Sequence, residues 1–159
     1  MNTVYLLLGS NLGNPQQQLL AATKAIVQRV GNIASASSFY STAAWGLTAQ
    51  PNFINQVLVV TTKLDALTTL HTILAIENDL GRTRSVKYAA RVIDIDILFF
   101  NNQIIDVPQL KVPHPQIQNR RFVLIPLAEL NENLIHPSLQ KNIKTLLQTC
   151  SDTLDVQKI

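Results

Sequence analysis

The sequence predicts an α+β fold, and two observations predict it. Short apolar or β-branched runs alternate with segments of helical period in the order β-α-β-β-α-β, and an α-rich tail follows. No stretch repeats and none has the composition of a linker, so residues 1–159 are expected to form a single domain. The element order is that of a split βαβ unit. It gives a ferredoxin-like βαββαβ core with helices on one face, extended by C-terminal helices and short strands.

Each element has its own signal. Thr3 to Leu8 is a short apolar run ending at Gly9-Ser10-Asn11, a buried strand leading into a turn. Pro15 opens a helix through about Val30, with Leu19, Leu20, Ile26, Val27 and Val30 on one face and Gly31-Asn32 as its stop. Ile33 to Thr42 fits a strand, and Trp45 to Asn52 a loop. Phe53 to Lys63 is a β run rich in Val and Thr. Asp65 reads as the N-cap of a helix to Leu80, with Gly81 beyond it. Arg91 to Phe100 is a further strand, turned by Asn101-Asn102. Ile104 to Val112 holds short strand pieces, and Pro108, Pro113, Pro115 and Pro126 keep that region irregular. Ser138 reads as the cap of a last helix through Cys150, with Leu139, Ile143, Leu146, Leu147 and Cys150 inward.

Composition narrows the class. The chain is 47% hydrophobic and 14% charged, enough apolar material for a core without disulfide or metal staples. A single cysteine excludes an internal disulfide framework and a multi-cysteine zinc site. No apolar run reaches membrane-spanning length, and the N-terminus lacks a signal pattern, so a cytoplasmic monomer away from membranes is expected. Net charge is +3, from 13 basic and 10 acidic residues. Residues 82–91 carry Arg82, Arg84, Lys87 and Arg91 and no acid, so the whole basic excess lies there. Such a segment is either a solvated loop or a binder of a local polyanion such as a phosphate chain. A nucleic-acid binder spreads its positive charge more widely, and none is expected as a partner.

Several groups of residues look chemical. In Arg91-Val92-Ile93-Asp94-Ile95-Asp96-Ile97-Leu98, strand alternation puts Asp94 and Asp96 on one face and the three isoleucines on the other. Two adjacent carboxylates repel unless a cation lies between them. That cation is either a hard divalent metal, typically Mg²⁺ with phosphates, or a neighbouring Arg or Lys. Glu77 lies on the apolar stripe of its helix, where a carboxylate wants a donor. It serves a helix-end ion pair with Arg82 or Arg84, or it orients a ligand or arginine at the mouth of a site. The arginines of the basic loop suit a phosphate that is enclosed and then released. Phe53 and Asn55 share a strand face and would stack on and hydrogen-bond a flat heterocycle, or form a core aromatic with a strand-end amide. His114 is held between Pro113 and Pro115, Arg120-Arg121-Phe122 begins a helix with one inward aromatic, and His71 and His136 have no companion motif. A phosphate-binding P-loop motif is absent.

Together these segments resemble the 6-hydroxymethyl-7,8-dihydropterin pyrophosphokinases of folate biosynthesis. The most specific piece is Lys87-x-Ala89-Ala90-Arg91-x-x-Asp94-Ile95-Asp96-Ile97-Leu98. Gly9-Ser10-Asn11-Leu12, Ser38-Phe39-Tyr40-Ser41-Thr42, Gln50-Pro51-Asn52-Phe53-Ile54-Asn55, Glu77-x-x-x-Gly81-Arg82-x-Arg84 and Val112-Pro113-His114-Pro115 through Asn119-Arg120-Arg121-Phe122 complete the order. The resemblance implies transfer of pyrophosphate from ATP to the pterin hydroxymethyl group, with release of AMP. It implies that Asp94 and Asp96 hold two Mg²⁺ ions, and that Arg82 and Arg91 stabilise the charge that moves. It implies a pterin site of Thr42, Ala43, Trp45, Phe53, Asn55 and Phe122, and a nucleotide site of Glu77, Arg84, Ile97, Lys111, His114 and Arg120. Tyr88, Ala89-Ala90 and Ala43-Ala44-Trp45 depart from the family pattern in the loops.

Three rival readings make different predictions. An RNA-binding module would need aromatics on an exposed central sheet face. A nucleotidyltransferase built on the paired aspartates would release pyrophosphate rather than AMP. An inactive pterin binder would lack the metal pair and arginines.

Overall fold

A computed structural model describes residues 1–43, 51–81 and 92–159. The elements begin with β1 (Asn2–Ser10), α1 (Pro15–Arg29), β2 (Gly31–Ala36), β3 (Tyr40–Thr42), β4 (Phe53–Thr62), α2 (Ala66–Asp79) and β5 (Asp94–Phe100). After them come β6 (Ile105–Val107), β7 (Leu110–Val112), a 3₁₀ turn at Ile117–Asn119 and α3 (Arg121–Asn131). The chain finishes with β8 (Ile135–His136), β9 (Lys141–Asn142), α4 (Ile143–Gln148) and β10 (Val156–Lys158).

The continuous apolar run of β1 places it in the middle of the main sheet, because such a run is satisfied only by burial on both faces. It pairs antiparallel with β4 from Asn2↔Thr62 to Ser10↔Ile54, and with β5 on its other side. The sheet order is β10-β3-β4-β1-β5, with β2 on the same edge of β4 as β3. The single strand expected over residues 33–42 is thus two. At the break, the Ser38 N–H and hydroxyl turn away from the ladder to donate to Glu129 of α3, at 2.8 and 2.7 Å.

One face of the sheet carries Val4, Leu6, Leu8, Leu58, Val60, Ile93, Ile95 and Ile97 under α1 and α2. The other carries Leu7, Val57, Leu98 and Phe99 under α3 and α4. This corrects the expectation of helices on one face. Both sides of β1 are apolar, so both need a cover, and the C-terminal helices supply the second one. Tyr5, Phe99 and His136 stack edge-to-face there, with centroids 5.7 and 5.8 Å apart.

Helix ends follow the sequence better than helix faces. Asn14 caps α1 by accepting the Gln17 N–H, Pro15 follows, and Asp65 caps α2 by accepting the Thr68 N–H. On α1 the inward residues are Leu19, Ala22 and Ile26, whereas Leu20 and Val27, one residue further along, are 59% and 49% exposed. The last helix is shorter than expected. Residues 135–142 form a hairpin instead, because the His136 Nδ1 accepts the N–H groups of Ser138 and Leu139. Asn142 then caps α4, and Leu139 is exposed. Pro126 lies inside α3 rather than in irregular chain. An interior proline costs about 3 kcal/mol, and burial of Val123, Leu124 and Leu127 around it offsets that. Among the described residues no helix is long and apolar enough to cross a membrane.

Candidate functional site

The ends of four strands meet at one rim of the sheet. There Gly9 of β1 lies between Asn55 of β4 and Asp94 of β5, while Thr42 of β3 pairs with Phe53 of β4. Asn11, just beyond β1, is buried and donates its Nδ2 to the Pro51 carbonyl at 3.2 Å, which fixes the chain entering β4. A cavity of about 750 Å³ opens at this rim. Thr42, Ala43, Phe53, Asn55 and Phe122 line one part of it. Asp94, Asp96 and Ile97 lie along β5, and Lys111, His114 and Arg120 line the remainder. The structure thus brings eleven of the sequence-derived candidates to a single cavity.

Gly9 is needed for close approach. A Cβ built there would lie 2.9 Å from the Asn55 Nδ2, so glycine allows the Asn55 carboxamide to rest on β1. The Asn55 Oδ1 and Thr42 Oγ1 are buried and have no hydrogen-bond partner among the described residues. A buried polar atom left alone costs free energy, so both point to a polar partner that enters the cavity. The aromatic rings of Phe53 and Phe122 line the same space.

Asp94 and Asp96 share the sheet face of Leu7 and Gly9, as alternation requires. The register then skips from Leu6↔Ile97 to Tyr5↔Phe99, which makes Leu98 the extra residue of a β-bulge. Leu98 and Phe99 consequently face the same core. The bulge turns the Leu98 carbonyl outward, where it accepts the His114 N–H at 3.0 Å. His114 accepts the Gln116 N–H on Nδ1, leaving Nε2 as the protonated, donating nitrogen of the neutral ring. Burial lowers its pKa, the Arg120 charge lowers it further, and the Asp94 carboxylate opposes both. Arg120 also lies over the Phe122 ring, 5.7 Å from its centroid.

Glu77 has a backbone partner that the sequence did not point to, while the arginines expected beside it lie outside the described residues. Glu77 is 2% exposed, is absent from the cavity wall, and accepts the Ile95 N–H at 2.7 Å. It therefore fixes the backbone between the two aspartates from behind. Lys111 lines the cavity and forms an ion pair with Asp106 of the β6–β7 hairpin. Trp45, Arg82, Arg84 and Arg91 lie outside the described residues. Sequence reasoning missed Leu70, His71 and Leu74 of α2 and Gln109, Leu110 and Pro115, all of which line the cavity. Leu70 and Leu74 fall on the apolar stripe of α2, where the ordinary expectation is core packing, and His71 has no companion motif. For the α2 residues the available signal was their place on the two turns that precede Glu77.

The fold resembles solved chains of the same class. A Plasmodium falciparum HPPK-DHPS with pteroate aligns over 92% of this chain and 42% of its own, with a TM-score of 0.76 and 19% identity. This chain therefore spans less than half of that fused protein. Its S436F/A437G/A613S triple mutant with SDX-DHP aligns at a TM-score of 0.75 over 92% of this chain and 44% of its own, again at 19% identity. Sequence relatives are nearer. The 2-amino-4-hydroxy-6-hydroxymethyldihydropteridine pyrophosphokinase of Haemophilus influenzae is 40% identical over 141 residues, 88% of each chain. The Bacillus subtilis protein of the same name is 40% identical over 130 residues, 81% of this chain and 78% of its own. Residues 5–132 match the profile of one family, and the chain belongs to it: the 7,8-dihydro-6-hydroxymethylpterin-pyrophosphokinases (HPPK).

Proposed function

We propose that this protein transfers pyrophosphate from ATP to the hydroxymethyl group of 6-hydroxymethyl-7,8-dihydropterin and releases AMP, a step of folate synthesis. One observation carries the assignment to the cavity: the orphaned Asn55 Oδ1 and Thr42 Oγ1 lie beside Phe53 and Phe122 and next to Asp94 and Asp96. A flat heterocycle with polar edges meets all three requirements of that wall. It stacks on the rings and hydrogen-bonds the orphaned atoms, and its hydroxymethyl arm reaches toward the carboxylates.

The pterin oxygen attacks the β-phosphorus in line. The bond to the α-phosphate oxygen breaks, AMP leaves, and the hydroxyl proton passes to water. Asp94 and Asp96 fit a hard divalent cation, because Mg²⁺ is commonly held by one or two carboxylates together with substrate phosphates. Two bound Mg²⁺ ions would supply charge neutralisation on the phosphate chain. His114 acts as a hydrogen-bond donor through Nε2, since Nδ1 is already accepting and burial keeps the ring neutral. Arg120 adds a fixed positive charge beside Phe122. Lys111, Arg84 and the backbone of Ile97 complete the nucleotide side, Ala43 and Trp45 border the pterin, and Arg82 and Arg91 stabilise the charge that moves in transfer. Glu77 serves the nucleotide site through the β5 backbone.

The strand order supports a ferredoxin-like reading of the core, since β2 and β3 together fill the place of its second strand. One sheet underlies both cores, which supports treating residues 1–159 as one domain. The RNA-binding reading loses its platform, because helices cover both sheet faces. The test is a product assay with ATP, Mg²⁺ and the pterin. Pterin-dependent AMP is expected. Pyrophosphate release, or binding without turnover, would replace this reading with a nucleotidyltransferase or an inactive binder.

A further inference from the structure

The family profile ends at residue 132, yet the chain returns to the site after that point. Arg120 and Phe122 flank the first residue of α3, and Arg120, its N-cap, makes no side-chain capping bond. The cap comes from 31 positions away. Asp152 Oδ2 accepts the Arg121 N–H at 3.0 Å, and its Oδ1 accepts the Leu154 N–H at 3.0 Å. The Arg121 Nη1 donates in return to the Leu154 carbonyl at 3.0 Å. Two residues later the same segment becomes β10 and pairs with β3, placing Val156 opposite Thr42. Lys158 reaches Glu129 at 3.5 Å, and Glu129 also accepts the Tyr40 hydroxyl at 2.9 Å. One short segment therefore holds both α3, which carries Phe122, and β3, which carries Thr42.

We propose that Asp152 is a positioning residue for the heterocycle site, and that Asp152, Leu154 and strand β10 form a strap setting the separation between its α3 wall and its β3 wall. The proposal rests on the functional reading above. Its physical basis is that a carboxylate at a helix N-terminus satisfies an otherwise orphaned N–H and fixes the first turn, which here carries Phe122.

The test compares Asp152→Ala, Asp152→Asn and Asp152→Ser with Asp155→Ala, an exposed neighbouring carboxylate turned to Gln157. Asp152→Ala should raise the KM for 6-hydroxymethyl-7,8-dihydropterin about 5-fold, the size of a lost cap, with kcat changed less than about 2-fold. It should also speed hydrogen exchange at the Arg121 amide. Asp152→Asn keeps the reach but has one acceptor oxygen for two N–H groups, so it should restore KM in part. Asp152→Ser accepts but cannot bridge Arg121 and Leu154 together, so it should fall between them, and it carries the test if the alanine variant does not fold. Asp155→Ala should match the parent. A fall in kcat and thermal stability with KM unmoved would make Asp152 merely structural and overturn the proposal. Unchanged exchange at Arg121 would do the same without reference to activity. A parent protein with no pterin-dependent AMP would instead overturn the functional reading, leaving the exchange result to judge the strap.

Discussion

Removing the Glu77 carboxylate tests whether the metal pair depends on its backbone. Glu77→Ala leaves the buried Ile95 N–H without the acceptor now 2.7 Å away. A charge-assisted hydrogen bond of this kind contributes about 1.5–3 kcal/mol. In a chain of this size each kcal/mol moves Tm by roughly 2–4 °C, so a loss of about 2 kcal/mol should lower it by roughly 4–8 °C. The second effect concerns Asp94 and Asp96, which flank the freed amide. A displacement on the order of 1 Å at a reacting centre costs about 100-fold in rate. Turnover should be titrated against Mg²⁺ at saturating ATP and pterin, at a temperature where the variant is folded. We expect a higher Mg²⁺ midpoint and turnover well below the folded fraction. Glu77→Gln retains an acceptor oxygen and should recover most of both. An unmoved Mg²⁺ midpoint, with turnover falling only in proportion to unfolded protein, would refute the argument.

Other outcomes follow from the same geometry. Gly9→Ala places a methyl 2.9 Å from the Asn55 Nδ2 and should reduce kcat/KM for the pterin by about 10-fold, the worth of one well-made hydrogen bond, while the KM for ATP stays put. Asp96→Ala should abolish turnover and leave the fold intact by circular dichroism; near-normal turnover would remove the metal assignment. Arg82→Ala and Arg91→Ala should cut kcat by orders of magnitude, and an effect confined to pterin affinity would contradict a role in charge stabilisation. His136 is held neutral by burial, so the unfolded chain binds its proton more readily, and stability should fall as pH drops below about 6.5. His136→Asn keeps an acceptor for the 137–140 turn, and its Tm should depend less on pH over that range than the parent's.

The sequence carried the site further than it carried the fold. Asp94 and Asp96 share a face because alternation over a short strand needs no tertiary information, and Asp65 caps α2 by the same local logic. Residues 135–142 misled because Ser138 has good capping chemistry and apolar residues follow it. The competing partner was the His136 imidazole, which claims the Ser138 and Leu139 N–H groups and favours a hairpin. Glu77 was legible as a buried carboxylate in need of a donor, but a backbone amide 18 residues away was not legible as one of its donors. The Leu98 bulge was not legible at all. An extra residue in a strand leaves no trace in an apolar run whose two sides are both buried.

That bulge explains how two like charges are held on an edge strand. β5 ends the main sheet, and an edge offers unpaired backbone groups that invite fraying or foreign pairing. Here β1 holds its inner side, Glu77 takes the Ile95 N–H, and His114 donates to the Leu98 carbonyl that the bulge has turned outward. The strand is therefore fastened on both edges over the stretch that bears Asp94 and Asp96. Electrostatic repulsion between neighbouring carboxylates must then be relieved by a cation rather than by movement of the backbone. The same fastening delivers His114 to the cavity wall, because the bond that secures the bulge is made by the main chain of the histidine itself. The strand bearing the two carboxylates and the histidine beside it are thus tied by one local irregularity, and a change that repaired the bulge should disturb both together.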